Sequence, residues 1–196
     1  ITKGIVLDKL LESLIVSKIN YNDLITGDKN ALLIAARVLG YGKDYEFSYG
    51  GEILSVDLTT LEDKTLNSKD LAEEGVNEFE FSLPSSKTAI TFKLLTHGDE
   101  KSIDRELQGL KKIRKDIVPE ATTRLKYVIT SVDNDREKKT IREFVDNYLL
   151  AKDARALREE IRRVSPDVEL QYYGDDVEEA IDVPIDTTFF WPDSRI

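Results

Sequence analysis

The apolar residues change period along this chain, and the order of those changes restricts the fold more than any other feature. Leu7, Leu10, Leu11, Leu14 and Ile15 stand at helical spacing and make one amphipathic stripe. In "DLITGDKNALLIAARVLGYG", Thr26 suits an N-cap, Asp28 suits the positive end of a helix, and Gly40 and Gly42 suit its stop. Leu32, Leu33, Ile34, Ala35, Ala36, Val38 and Leu39 leave few polar sides, which predicts a central, buried helix. The period then drops to two. Tyr45, Phe47 and Tyr49 alternate, Gly50-Gly51 supplies the positive φ angles of a tight turn, and Ile53 to Leu58 return as a hairpin. Phe79, Phe81 and Leu83, then Ile90, Phe92 and Leu94, alternate on either side of Pro84-Ser85-Ser86 and predict a second hairpin. The polar stretch from Glu62 to Gly75 between them reads as a short helix or a loop.

Helical spacing returns with Ile103, Leu107, Leu110 and Ile117, up to Pro119. After the short β-prone run "KYVITSV" comes a strongly periodic helix marked by Ile141, Phe144, Val145, Tyr148 and Leu149. The next carries Ala154, Leu157, Ile161 and Val164 on one side, with Asp153 as its expected N-cap and Ser165-Pro166 as its end. "VELQYY", Gly174 and "VEEAIDVPI" read as a terminal hairpin. The class is α+β: helices, two internal β-hairpins, more helices and a C-terminal hairpin. No βαβαβ rhythm is present, which argues against a doubly wound sheet. The chain divides by pattern into residues 1–98, with helices and two hairpins, and 99–196, with helices, the last hairpin and an aromatic tail, or it forms one continuous domain.

Composition narrows the chemistry. With 196 residues, 40% of them hydrophobic, the chain can bury a substantial core. A net charge of −10 opposes binding to nucleic acid. The densest basic run, Lys111, Lys112, Arg114 and Lys115, has acidic neighbours and reads as a solvated helix face. Cysteine is absent, which excludes disulfides and thiolate-bound zinc, and the single histidine, His97, cannot build a metal site alone. No run reaches the length of a membrane helix and no signal-peptide pattern is visible. Because the chain opens on Ile1 rather than Met, a further segment is expected to have preceded it.

Motifs of enzymes are missing. There is no phosphate loop, and the glycines of "GYGKDYEFSYGG" bracket a strand instead of opening a helix. Asp133, Asp135 and Glu137 resemble the start of a calcium loop but lack its central glycine and closing glutamate. They read as a turn followed by a helix start. Asp175, Asp176, Glu178 and Glu179 read as charges that protect a hairpin from pairing. His97 reads as part of a turn before a helix. Lys101, Asp104, Arg105 and Glu106 read as ion pairs within one helix. The expectation is a protein without enzymatic activity, with no catalytic, cofactor-binding or metal-binding residue, no cofactor and no small-molecule substrate.

The order of the pieces carries a resemblance. "DLITGDKNALLIAARVLGYGKDYEF", "SVDLTTLEDK", "LPSSKTAITFKLLTHGDEKSI", "VDNDREKKTIREFVDNYLLAKDARALREEIRRVSPDVEL" and "DVPIDTTFFWP" follow one another as in the T4-type phage baseplate hub and baseplate-assembly proteins, which the chain resembles over nearly its whole length. The resemblance implies a component or an assembly chaperone of a contractile tail baseplate hub. Its partners would be other baseplate or hub proteins, with no nucleic acid and no membrane. Its place would be the host cytoplasm during tail assembly and, for a permanent part, the virion baseplate. Many relatives carry Cys-x-x-Cys pairs in their hairpins, as zinc-ribbon knuckles do. Here those places hold Tyr49-Gly50-Gly51 and Tyr172-Tyr173-Gly174, so a zinc-ribbon-like C-terminal hairpin without metal is expected, with aromatic packing in the clip's place.

Phe189, Phe190 and Trp191 are the expected partner-binding residues, because rings give large contact area with few rotors to freeze. Capping the domain's own core is the other reading. On the first, removing residues 189–196 abolishes partner association and leaves the domain folded. Two further functions fit the sequence less closely: a protein–protein adaptor outside phage tails, and a metal-dependent hydrolase using Asp133, Asp135 and the acidic tail.

Overall fold

The structure, a computed structural model, describes residues 3–66, 76–113, 119–174, 180–185 and 187–190. In chain order the elements are α1 (Lys3–Leu14), α2 (Thr26–Tyr41), β1 (Asp44–Tyr49), β2 (Glu52–Asp57), β3 (Phe79–Ser82), β4 (Ala89–Phe92), α3 (His97–Ile113), α4 (Glu120–Val128), β5 (Ile129–Val132), α5 (Lys138–Asn147), α6 (Ala151–Val164), β6 (Gln171–Tyr172), β7 (Ile181–Asp182) and α7 (Thr187–Phe190). The α+β class follows directly. Both internal hairpins are present, and Gly50 and Gly51 take φ angles of 60° and 92° in the first turn.

The chain forms two compact units, and their boundaries are not at residue 98. One unit takes 1–21, 27–65 and 166–196; the other takes 22–26 and 66–165. Strand pairing explains the difference. β4 pairs with β5 through Ile90↔Val132 and Thr91↔Ser131, which ties the second hairpin to the helices that follow it. Residues 62–64 pair with 167–169, since Glu169 donates to the Glu62 carbonyl and Lys64 to that of Asp167, so the chain's end returns to the first unit.

In the first unit, β1 and β2 form a two-stranded sheet whose inner face buries Tyr45, Phe47 and Val56. The helix α2 is not buried all round. Leu33, Ile34 and Arg37 face inward, while Leu39 is 88% exposed. A high apolar count does not by itself assign a side, and this helix buries one face only. At its start, a Cβ on Gly27 would lie 2.1 Å from the Pro166 carbonyl oxygen, so this contact admits only glycine. Arg37 closes the other end by donating to the carbonyls of Gly42 and Asp44, with its guanidinium over the Tyr41 ring.

The second unit packs the sheet β3–β4–β5 against α4, α5 and α6. Leu83, Phe92 and Leu157 are fully buried there, and Ala154 and Ile161 pack against them as the periodicity requires. "KYVITSV" splits, with helix to Val128 and strand from Ile129. The helix α5 stops at Asn147, and Tyr148 is exposed. The predicted helix contact of Ile117 lies outside the described residues.

Asp153 is not the cap of α6. It sits inside the first turn, is fully buried, and accepts the backbone N–H groups of Ser85 and Ser86 at 2.7 and 2.9 Å. It therefore caps the β3–β4 turn with two charge-assisted bonds. Burial alone would raise its carboxyl, but the amides and hydroxyls of Ser85 and Ser86 outweigh that and hold it below its ordinary 3.8.

Candidate functional site

The two predicted anchors that can be placed are core residues. Phe189 is fully buried and Phe190 nearly so. Phe189 meets the Tyr45 ring edge-on at 4.8 Å, and Phe190 stands against Phe189 at 5.2 Å. The Tyr45 hydroxyl donates to the Pro184 carbonyl at 3.0 Å and pins the same segment. These rings complete the first unit's core and offer no free face to a partner. Trp191 lies outside the described residues, as do Asp175, Asp176, Glu178, Glu179, Arg114 and Lys115. Lys111 and Lys112 are exposed.

The other singled-out residues have structural partners. Asp133 and Asn134 take left-handed φ angles of 46° and 69° in a tight turn, and the Asp133 carboxylate accepts the Ala89 N–H. Asp135 accepts the Glu137 N–H and the Thr140 hydroxyl at the start of α5; these two bonds hold its carboxyl below its ordinary value. Among the described residues no three His, Asp or Glu side chains gather to hold a metal ion. His97 is buried as the first residue of α3. Glu106 does not pair within its own helix. It takes a two-pronged bond from Arg142 on α5 and one from the Tyr127 hydroxyl on α4, and chiefly the guanidinium lowers its carboxyl.

A bulge in β5 brings hydroxyls together. Thr91 stands opposite both Thr130 and Ser131, with its oxygen 2.7 and 2.6 Å from theirs. Thr130 passes the chain on to Glu78, whose carboxylate is forked by Arg136. Every member of this row is satisfied by the next, so it reads as a clasp across the sheet.

An open feature of the first unit is a groove of about 580 Å³, a volume typical of ligand sites. One wall is β2 and the turn after it, with Ser55, Asp57 and Glu62; the other is Glu169, Gln171 and Tyr173. Hydrogen-bond parity fixes what these walls present. Leu58 donates to the Lys43 carbonyl, so the bonded pairs of this ladder are 43/58, 45/56, 47/54 and 49/52. The backbone N–H and C=O of Ser55 and Asp57 therefore point away from β1. On the other side, Val183 donates to the Leu170 carbonyl, so 172/181 is the next bonded pair and the Gln171 backbone points away from β7. Glu169 shares that parity, and its N–H is spent on the Glu62 carbonyl, where the two walls meet. The groove is thus a fork. Its walls join at 62/169 and then part; among the described residues the N–H and C=O of Ser55 and of Gln171 and the N–H of Asp57 have no backbone partner, while the Asp57 C=O accepts the Thr60 hydroxyl.

Side chains set its charge. The Lys43 ammonium beside Asp57, helped by Thr59, pulls the Asp57 carboxyl down to about 2. Glu62 and Glu169 are exposed and make no ion pair among the described residues. Tyr172 packs edge-on against Phe47 at 6.0 Å, whereas Tyr49 is exposed. Tyr173 stands at the rim and donates to Gln171 at 2.6 Å. Sequence reasoning missed this groove, because its walls lie more than a hundred residues apart. No family model, no curated protein and no solved structure matches the chain. No described helix is long and apolar enough to cross a membrane.

Proposed function

We propose that the protein works by binding other proteins, as a component or assembly chaperone of a contractile phage tail baseplate hub. One observation carries the binding part: β2 and β6, each with a single ladder partner among the described residues, line a common groove into which Ser55 and Gln171 turn main-chain groups that those ladders leave unused. Such edges gain hydrogen bonds when an extended segment of another chain is added. The baseplate part rests on the five ordered motifs that resemble those phage proteins. The predicted aromatic anchors do not contribute through Phe189 and Phe190, which the core uses.

Affinity purification of the tagged protein from phage-infected host cells, with mass spectrometry of what it holds, tests this. Tail and hub proteins are expected, at well-defined stoichiometry. Recovery of host proteins alone, in infected and uninfected cells alike, would point to an adaptor outside tails and contradict the baseplate reading. Examination of mature particles then separates a permanent part from a transient helper.

A further inference from the structure

We propose that the forked groove between β2 and β6 receives an extended, lysine- or arginine-bearing segment of a partner protein, which inserts as a strand. This deepens the function above and rests on the protein being a binding component. The backbone argument gives the shape. Ser55 on one wall and Gln171 on the other turn both main-chain groups away from their own ladders, and Asp57 adds its N–H, its carbonyl being taken by the Thr60 hydroxyl. An inserted strand would bond to both sides and join the β1–β2 and β6–β7 pairs into one sheet. The junction at 62/169 sets where that strand must end.

Charge selects the occupant. The Glu62 and Glu169 carboxylates flank the closed end with no cation of their own among the described residues, in a chain of net charge −10. A second copy would bring the same carboxylates to the same place and be repelled; a basic segment neutralises them. The exposed Tyr173 ring at the rim offers a face for an arginine or lysine stem.

Fluorescence anisotropy with the intact chain and two labelled peptides tests the assignment. One peptide alternates lysine with valine, the other glutamate with valine. The lysine peptide should bind and the glutamate peptide should not. Glu62→Gln combined with Glu169→Gln changes only exposed side chains and should weaken the lysine peptide about tenfold, with most of its salt dependence lost. Ser55→Pro removes a groove-facing N–H while leaving the β1 ladder whole, and should weaken binding by a similar factor. Equal binding of both peptides, binding unaffected by the double glutamine change, or no binding of the lysine peptide would overturn the proposal. So would a dimer, seen by sedimentation, that Ser55→Pro dissolves. If tail proteins copurify while the lysine peptide fails, the groove assignment falls and the binding function stands; if neither occurs, both fall.

Discussion

Replacing Phe189 with alanine should destabilise the first unit by about 3–5 kcal/mol, a large share of the roughly 5–15 kcal/mol that holds a domain together. The ring is fully buried, is touched edge-on by Tyr45, and carries Phe190 behind it. Truncation removes that apolar area and leaves a cavity that β1 cannot fill without moving. Urea unfolding followed by circular dichroism should show an early transition in the variant that the parent lacks. Deletion of residues 189–196 should then unfold the first unit, the reverse of what an anchor for a partner would do. A deletion variant with unchanged unfolding would contradict the core assignment.

The second large effect belongs to Asp153. Asp153→Ala should lower the melting temperature by on the order of 10 °C, because two charge-assisted bonds from amides of the β3–β4 turn to a fully buried carboxylate are lost. Asp153→Asn keeps the volume and one acceptor oxygen and should cost less. The effect also has a pH signature. The folded pKa lies below the ordinary 3.8, so the carboxylate's contribution is complete above that value and is lost as the pH falls through the depressed folded value. The gap in melting temperature between parent and Asp153→Asn should therefore be widest near neutrality and close in acid. A gap that is constant with pH would show that charge on Asp153 does not matter to the turn.

These two residues show where reading a sequence stops. An aspartate three residues into a helical pattern looks like a cap, and the partner that makes it a turn clamp lies 67 residues upstream at Ser86. Phe189 and Phe190 have the composition of an interface and of a core, and the position of Tyr45 decides between them. Local signals were legible. The Gly50-Gly51 turn, the alternation on either side of it, and the apolar faces of α5 and α6 all follow from spacing. The boundary between α4 and β5 was not, since "KYVITSV" satisfies both periods. The groove was invisible for a physical reason: its working groups are main-chain N–H and C=O, which every residue carries. Their availability depends on ladder parity rather than side-chain type.

Hydrogen–deuterium exchange of the protein, alone and in its purified complex with partner proteins, reads the groove amides one by one. The amides of Ser55, Asp57 and Gln171 should exchange quickly in the free chain and slow strongly in the complex, while those of Phe47 and Val56, already bonded within the β1–β2 ladder, change little. Protection confined to other surfaces, with the groove amides exchanging as in the free protein, would contradict the account.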